Sequence, residues 1–313
     1  SEIMLQQTRV AAVLDYYRRF LEEASDVAAL AALPEERLMK LWQGLGYYNR
    51  ARNLQKAAQV IVDRYGGVFP SDYAAVRALP GVGDYTAGAI CSIAFGQAVP
   101  AVDGNVLRVY ARITGDDGDI AAPQMKKKVT QRLEAIIPVD AAGAFNQALM
   151  ELGATVCLPN GAPLCQRCPA KGFCAALAHG RTGELPVKAP KKARRVEKRA
   201  VWLIFHGNRV ALRRRPDKGL LAGLWEFPNE LGDGPLPGEW GISACSQQYA
   251  GQAKHIFTHI EWHMALRAAQ AETDALPPGW VWASGAELEE QYAVPNAFDG
   301  ALRLAKERLN GGT

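Results

Sequence analysis

The chain has 313 residues, of which 49% are hydrophobic and 22% charged, and its formal net charge is +4. This length favours two domains over one, and no apolar run approaches the length of a membrane span, which excludes a transmembrane helix. The small positive charge permits a polyanionic partner without requiring one. The sequence begins inside a helical pattern, without a methionine or a signal peptide. We therefore expect the natural amino terminus to precede Ser1.

From Ser1 to about His179 the apolar residues recur at helical spacing, which predicts an all-α region of about eight to ten short helices. The expected boundary residues include Pro34 at a helix start, a cap at Ser71 or Asp72, and the helix end at Gly66-Gly67.

A tight corner lies inside this region, in the stretch LPGVGDYTAGAI at residues 79–90. Glycine lets the backbone turn sharply and approach a ligand closely, so Gly81 and Gly83 suit a short hairpin between two helices. The amides at the start of the second helix favour an anion. An ordinary helix-turn-helix corner without a ligand fits the same residues.

Four of the six cysteines fall in one short stretch, CLPNGAPLCQRCPAKGFC, as Cys157, Cys165, Cys168 and Cys174. Nothing indicates secretion, so a metal site is favoured over disulfides. Only Cys165 and Cys168 form a Cys-x-x-Cys pair, whereas zinc sites usually show two such pairs. The spacing favours an iron–sulfur cluster, with zinc as the alternative.

Residues 183–199 are rich in lysine and arginine and predict a basic linker, which is a solvated tether, a DNA contact, or both. From Ala200 the pattern changes to alternating strands, beginning with two runs joined by the hairpin signal Gly207-Asn208. More strands follow, and NAFDGALRLAKERL closes the chain as a helix. The second half is therefore predicted to be α+β.

Together, the hairpin, an aspartate about twenty residues later in VPAVDGNVLRV and the four-cysteine loop resemble the helix-hairpin-helix DNA glycosylases that carry an iron–sulfur cluster. The stretches SEIMLQQT, LWQGLGYYNRARNL and FNQALMELGATVC look like the adenine DNA glycosylases of the MutY type. KGLLAGLWEFP and FTHIEW look like their MutT-like carboxyl-terminal domain. The match covers essentially the whole chain. It implies a multi-domain protein with an all-α glycosylase domain at 1–182 containing the cluster loop 157–174, the linker, and an α+β Nudix-like domain at 200–313.

The sequence departs from the family pattern at two places. The spacing between Cys157 and Cys165 is one residue longer than usual, so the loop is expected to bulge there. Thr258 stands where the family normally has serine, which keeps a hydroxyl and adds a methyl group. The resemblance implies a [4Fe-4S] cluster on the four cysteines.

Removing a base from DNA builds positive charge on the sugar, and two carboxyl groups with opposite duties suit that task. Asp103 stands at a predicted helix start, where amides favour an ionised carboxylate; it would be a simple cap otherwise. Glu2 lies among apolar residues, where burial would raise its pKa, and is otherwise an ordinary surface charge. The resemblance makes Asp103 the stabiliser of the sugar cation and Glu2 the proton donor to adenine, with Asn105 and Tyr85 beside the reaction centre and Gln147 beside the extruded adenine.

The resemblance also assigns DNA contacts. The amides of Gly81, Val82 and Gly83 are expected to hold a DNA phosphate, often with a bound cation in this family. The residues implied in wedging into the duplex and in recognising 8-oxoguanine are Gln7, Thr8, Leu45, Tyr47, Phe257, Thr258 and His259. Singly, Tyr47 and Phe257 also fit ordinary core packing. The chain lacks the glutamate-rich Nudix signature, so the second domain is expected to bind and not to hydrolyse.

The expected partner is double-stranded DNA containing adenine opposite 8-oxoguanine or guanine, bound by a monomeric, cytoplasmic, nucleoid-associated protein of bacterial type that has no membrane contact. Tyr85 occupies the position where backbone-cutting relatives carry a lysine, which implies a monofunctional enzyme that leaves an abasic site. Three rivals remain: an endonuclease III-like pyrimidine glycosylase, a non-catalytic DNA-binding module that holds zinc, and a nucleotide hydrolase.

Overall fold

The computed structural model describes residues 1–8, 10–190 and 193–311, and the chain divides into two compact units. The first unit contains Ser1–Gln7 and Asn53–Lys191. The second unit contains Thr8–Arg52 and Lys192–Thr313. Residues 8–52 therefore group with the carboxyl-terminal half of the chain. Lys191 and Lys192, which belong to the predicted linker, lie outside the described residues.

The described part of the chain up to residue 190 contains helices and turns and no strand, as the sequence predicted. The helices, in chain order, are α1 (Glu2–Leu5), α2 (Val10–Glu23), α3 (Val27–Ala32), α4 (Glu35–Trp42), α5 (Asn49–Tyr65), α6 (Tyr73–Arg77), α7 (Asp84–Phe95), α8 (Gly104–Thr114), α9 (Pro123–Glu134), α10 (Ala142–Thr155) and α11 (Ala175–Ala178). These eleven exceed the expected number because α1 and α11 are single turns of four residues. None of the described helices is long and apolar enough to cross a membrane.

The predicted boundaries have clear local causes. The Asp72 side chain accepts from the Ala75 amide at 2.9 Å and so caps α6. Helix α5 ends where Gly66 and Gly67 adopt positive φ values of 60° and 82°, a conformation that glycine allows at no steric cost. Pro34 directly precedes α4, in the predicted position for a helix start.

Within its described residues, the second unit contains one seven-stranded sheet. Its strands are β1 (Arg195–His206), β2 (Arg209–Arg214), β3 (Trp225–Glu226), β4 (Asn229–Leu231), β5 (Ala244–Ile256), β6 (Ile260–Ala271) and β7 (Trp280–Ala283). The main order is β3-β2-β1-β6-β5, with β4 paired to β1 and β7 to β2. Among these strands, β1 and β6 run parallel and the other pairs are antiparallel.

Alternation along β1 places side chains on both faces of this sheet. Val201, Leu203 and Phe205 are buried with residues of the closing helices α12 (Gly285–Glu290) and α13 (Asp299–Asn310). Trp202 and Ile204 point to the opposite face and pack in a second apolar cluster. Both faces are therefore covered there, which fits the continuous burial of residues 200–205 in this strand.

The predicted hairpin at Gly207-Asn208 is confirmed, because His206 pairs with Arg209 across that two-residue turn. Strand β1, however, begins at Arg195, so the last five residues of the predicted linker belong to the sheet. There, Arg195 and Arg199 both bind Glu197, at 2.6 and 3.3 Å. Two arginines of the predicted linker are thus ion-paired with Glu197 within strand β1.

Candidate active site

The start of α8 fixes the carboxylate of Asp103. One of its oxygens accepts from the Val106 amide at 2.8 Å, and the other accepts from Nδ2 of Asn105, also at 2.8 Å. The side chain is half-buried and lies at the positive end of the helix dipole. Asp103 is therefore the helix cap that the sequence predicted, with both oxygens held in one orientation.

Tyr85, in the first turn of α7, stands beside the other predicted acid. Its hydroxyl lies 3.4 Å from Oε2 of Glu2, to which it donates, and 3.5 Å from the sulfur of Met150. Burial raises the pKa of Tyr85 above its usual range, and the negative charges of Glu2 and Asp103 raise it further. The phenol thus remains protonated and experiences the field of both carboxylates. Four predicted residues, Glu2, Tyr85, Asp103 and Asn105, are brought together.

Gln147 lies on α10, the helix that also carries Met150. It is exposed, and its amide nitrogen donates to the Gly143 carbonyl of its own helix at 3.2 Å. Its expected place beside the adenine remains a prediction.

Arg108 connects this site to the cysteine loop, and the sequence analysis missed it. Its guanidinium donates to Oδ1 of Asn105 and to the Gly153 carbonyl, both at 2.8 Å, and to the Cys157 carbonyl at 2.8 Å. The side chain is buried, and this burial lowers the pKa of Arg108. A continuous chain of hydrogen bonds therefore runs from Asp103 through Asn105 and Arg108 to the backbone of the first cysteine. Two arginines, Arg108 and Arg112, on the buried face of GNVLRVYARI were the signal that could have revealed it.

Two close backbone approaches also fix the site. A Cβ atom at Gly153 would lie 2.5 Å from Cβ of Asn105, and one at Gly88 would lie 2.2 Å from the Pro100 carbonyl oxygen. Only glycine allows α10 and α7 to pack so closely against the segment that carries Asp103. The buried Asn146 holds the same segment, since its Oδ1 accepts from the Ala101 amide at 3.0 Å and its Nδ2 donates to the Val99 carbonyl at 2.9 Å.

The hairpin between α6 and α7 differs in detail from the prediction. Gly81 has a φ of 77°, as expected for a tight turn, whereas Gly83 has an ordinary φ of −92°. Val82 is buried, and its amide already donates to the Leu79 carbonyl at 3.1 Å. Gly81 and Gly83 are exposed, and their amides donate to no acceptor within the described residues. Of the three predicted phosphate donors, two are thus available.

The four clustered cysteines are all free thiols within one irregular loop. The buried guanidinium of Arg112 donates to the sulfur of Cys157 at 3.3 Å. The backbone carbonyl of Arg112 accepts from the thiol of Cys174 at 3.4 Å. Burial raises the pKa of Cys165, and the charges of the other three cysteines raise it further, so the four sulfurs lie close enough to interact electrostatically. Within the described residues, no group of three or more His, Cys, Asp or Glu side chains has the spacing to hold a single metal ion. Four thiols with a neighbouring N–H donor fit the requirements of an iron–sulfur cluster.

The residues predicted to read the opposite base are found mainly in the second unit. Tyr47 is 54% exposed, has a φ of 47°, and its hydroxyl lies 3.2 Å from the hydroxyl of Thr258. Thr258 and His259 are exposed and Phe257 is half-buried. Leu45, in contrast, is buried.

Arg50, which the sequence analysis also missed, shapes the loop that carries Tyr47. One guanidinium nitrogen donates to the carbonyls of Leu45 and Gly46 at 3.0 and 3.2 Å and lies 3.4 Å from the hydroxyl of Thr8. The structure therefore brings Thr8, Leu45, Tyr47 and Thr258 into the second unit, while Gln7 belongs to the first unit.

Two family models match this chain. Residues 1–138 match the model described as "HhH-GPD superfamily base excision DNA repair protein", and residues 200–304 match that of the "NUDIX domain". The two matches fall on the helical half and on the strand-containing half, in the order that the sequence predicted.

Relatives and solved structures agree with this division. The adenine DNA glycosylases of Mus musculus and Homo sapiens are each 35% identical to this chain, over 99% of its length and over 72% and 68% of theirs. A thermostable thymine-DNA glycosylase superposes with a TM-score of 0.52 at 30% identity, covering 57% of this chain and 82% of its own. An endonuclease III in a non-covalent DNA complex gives 0.50 at 29%, covering 58% and 81%.

Proposed function

The chain belongs to the adenine DNA glycosylase family, and we propose that its substrate is adenine paired with 8-oxoguanine or guanine in duplex DNA. It is a DNA glycosylase of base-excision repair that removes adenine. The observation that carries the finer proposal is the grouping of Glu2, Tyr85 and Asp103 in one unit and of Tyr47 and Thr258 in the other. The first group suits cleavage of the glycosidic bond, and the second offers a hydroxyl pair to a damaged base.

In this mechanism Asp103 stabilises the positive charge that develops on the sugar. Because its two oxygens are held by Val106 and Asn105, the carboxylate requires little reorganisation as the charge builds. Glu2 supplies a proton to the leaving adenine, and the Tyr85 hydroxyl at 3.4 Å orients the Glu2 carboxyl group. Gln147 is the proposed contact to the extruded base.

We propose that the reaction stops at the abasic site. Cleavage of the DNA backbone by a Schiff-base route requires an amine near the sugar, and position 85 carries a phenol. Incubation with substrate and sodium borohydride should therefore trap no covalent adduct between the protein and the DNA. Rapid formation of such an adduct would contradict a monofunctional enzyme.

The hairpin is the proposed anchor on the DNA backbone. The exposed amides of Gly81 and Gly83 donate to a phosphate, while the buried Val82 holds the turn in place. This contact carries no sequence information. It is expected to contribute equally to the binding of every duplex. A bound cation is proposed to neutralise the phosphate further. The protein is proposed to act as a monomer.

We further propose that Cys157, Cys165, Cys168 and Cys174 hold a [4Fe-4S] cluster, with zinc as the alternative. When bound, the cluster supplies a rigid cross-link between distant points of the loop. Arg112 donates a hydrogen bond to the Cys157 sulfur, and Arg108 ties the same residue's carbonyl to the active site. Visible absorption and iron analysis of the purified protein distinguish the two metals.

One experiment tests the central proposal. Adenine release is measured under single-turnover conditions from duplexes with adenine opposite 8-oxoguanine, guanine, thymine or cytosine, and thymine release is measured from a G·T duplex. We expect the 8-oxoguanine duplex to be processed fastest, with guanine second. Faster release of thymine would favour the activity named for the thymine-DNA glycosylase relative. Equal adenine release from all four duplexes would remove the proposed specificity.

A further inference from the structure

Two loops of the second unit meet at the Tyr47–Thr258 contact. We call residues 43–48 the wedge loop and residues 257–260 the reading loop. The reading loop is a tight turn closed by the Phe257 amide, which donates to the Ile260 carbonyl at 2.8 Å. The two hydroxyls that join the loops are 3.2 Å apart and exposed, so this contact cannot by itself hold the loops in register.

A third segment, residues 294–298 before α13, binds the wedge loop at two consecutive residues. The Gln43 side chain donates to the Val294 carbonyl at 2.9 Å, and the Asn296 side chain donates to the Gly44 carbonyl at 3.1 Å. Gly44 has little freedom, because its φ is 103° and a Cβ atom there would lie 2.0 Å from the Tyr16 hydroxyl. The wedge loop is therefore fixed to this segment just before it reaches Tyr47.

The same segment reaches the reading loop through a series of ring contacts. The ring of Phe298 lies 5.9 Å from that of Trp262, Trp262 lies 4.8 Å from Phe257, and Phe257 lies 4.5 Å from His255. Trp262 is fully buried, and its indole nitrogen donates to Glu197 at 3.0 Å, so the middle of this column is fixed. The two contacts of Phe257 are edge-to-face, at distances that aromatic pairs prefer.

We propose that the segment Val294–Phe298 is a positioning element for recognition of the base opposite the adenine, which sets the wedge loop and the reading loop in register. Asn296 is the positioning residue on the wedge side, and Phe298 is its counterpart on the reading side. The inference rests on the proposed function in one respect, that these two loops contact that base. The register determines whether Tyr47 and Thr258 present their hydroxyls together.

Asn296→Asp is the most direct test, since it keeps the shape of the side chain but removes the donor to Gly44. The ratio of adenine-release rates, 8-oxoguanine duplex over guanine duplex, is expected to fall about fivefold, the effect of one lost hydrogen bond. The guanine duplex itself should be processed within about twofold of the wild-type rate. Asn208→Asp is the matched control, because it makes the same chemical change in an exposed turn of the same unit. Asn296→Ala provides a second variant should the aspartate fold poorly.

Hydrogen–deuterium exchange gives a readout that does not depend on activity. In the Asn296 variants, peptides covering both loops should exchange faster, whereas in the control neither should. An unchanged rate ratio, or an equal fall for both duplexes, would overturn the proposal, the latter by indicating general destabilisation. Should the wild-type protein show no preference for 8-oxoguanine, the proposed function fails. In that case the exchange data alone test the positioning role of Val294–Phe298. Faster exchange of both loops in the Asn296 variants supports that role, and faster exchange of the wedge loop alone refutes it.

Discussion

The contact between Gly153 and Asn105 makes a quantitative prediction about catalysis. In Gly153→Ala the new Cβ would lie 2.5 Å from Cβ of Asn105 and 3.0 Å from its Cα. Ordinary contact begins at 3.4 Å, so the two helices must separate by about 0.9 Å at this point. The atoms concerned are backbone or next to it, and a rotamer change cannot relieve the clash.

This displacement reaches Asp103, the proposed catalytic carboxylate. Asp103 and Asn105, joined by a 2.8 Å hydrogen bond, both stand at the start of α8, so the carboxylate shifts with this helix by nearly 1 Å relative to Tyr85 on α7. A misplacement of about 1 Å at a reacting group costs roughly a hundredfold in rate. Overpacking also lowers the free energy of unfolding by about 1–3 kcal/mol.

The assay compares single-turnover adenine release by the wild type, Gly153→Ala and Gly104→Ala. Gly104 is the matched control: it directly follows Asp103, yet a Cβ atom there would meet nothing within 4 Å. We expect a loss of about a hundredfold in the first variant at a temperature where it is fully folded, and little change in the second. Wild-type release by folded Gly153→Ala would refute the reasoning. So would an equal loss in both variants.

Four further predictions concern Asp103, Gly81, Cys165 and Lys40. Asp103→Asn should lower adenine release by at least about 10²-fold, since the charge opposing the sugar cation is lost, while duplex binding in a gel-shift assay persists. Gly81→Ala should weaken the binding of matched and mismatched duplexes equally, because its φ of 77° and a Cβ atom 2.6 Å from Asn53 Cβ distort the hairpin; selective loss for one duplex would contradict this. Cys165→Ser should abolish the visible absorption and iron content of the purified protein. Burial lowers the pKa of Lys40 to about 8, so above pH 8 the unfolded chain binds more protons than the folded chain, and the free energy of unfolding rises with pH. In urea unfolding, the stability of the wild type relative to Lys40→Met should therefore increase between pH 8 and about 10, the ordinary range for lysine.

The sequence could predict what depends on neighbouring residues. Asp72 and Asp103 cap helices, Gly66 and Gly67 end one, and Gly207-Asn208 turns a hairpin, because each effect acts over a few bonds.

Features set by distant parts of the chain escaped it. Arg108 matters because Gly153 and Cys157 fold back to it, and neither lies near it in sequence. One local detail also escaped it: the Val82 amide is occupied by the carbonyl of Leu79, three residues earlier. Strand β1 starts early because the charged residues at Arg195–Arg199 pair with β6, an effect of tertiary context on an otherwise polar stretch.

The grouping of residues 8–52 with the carboxyl-terminal half has a practical consequence for dissecting this protein. Lys40 donates to the carbonyls of Leu288 and Tyr292, at 3.0 and 3.2 Å, and Arg52 donates to that of Ala222 at 2.7 Å. A cut at the basic stretch would divide these partners between two fragments. Neither fragment would be a complete module, so experiments that exchange or delete the carboxyl-terminal half should transplant residues 8–52 along with it.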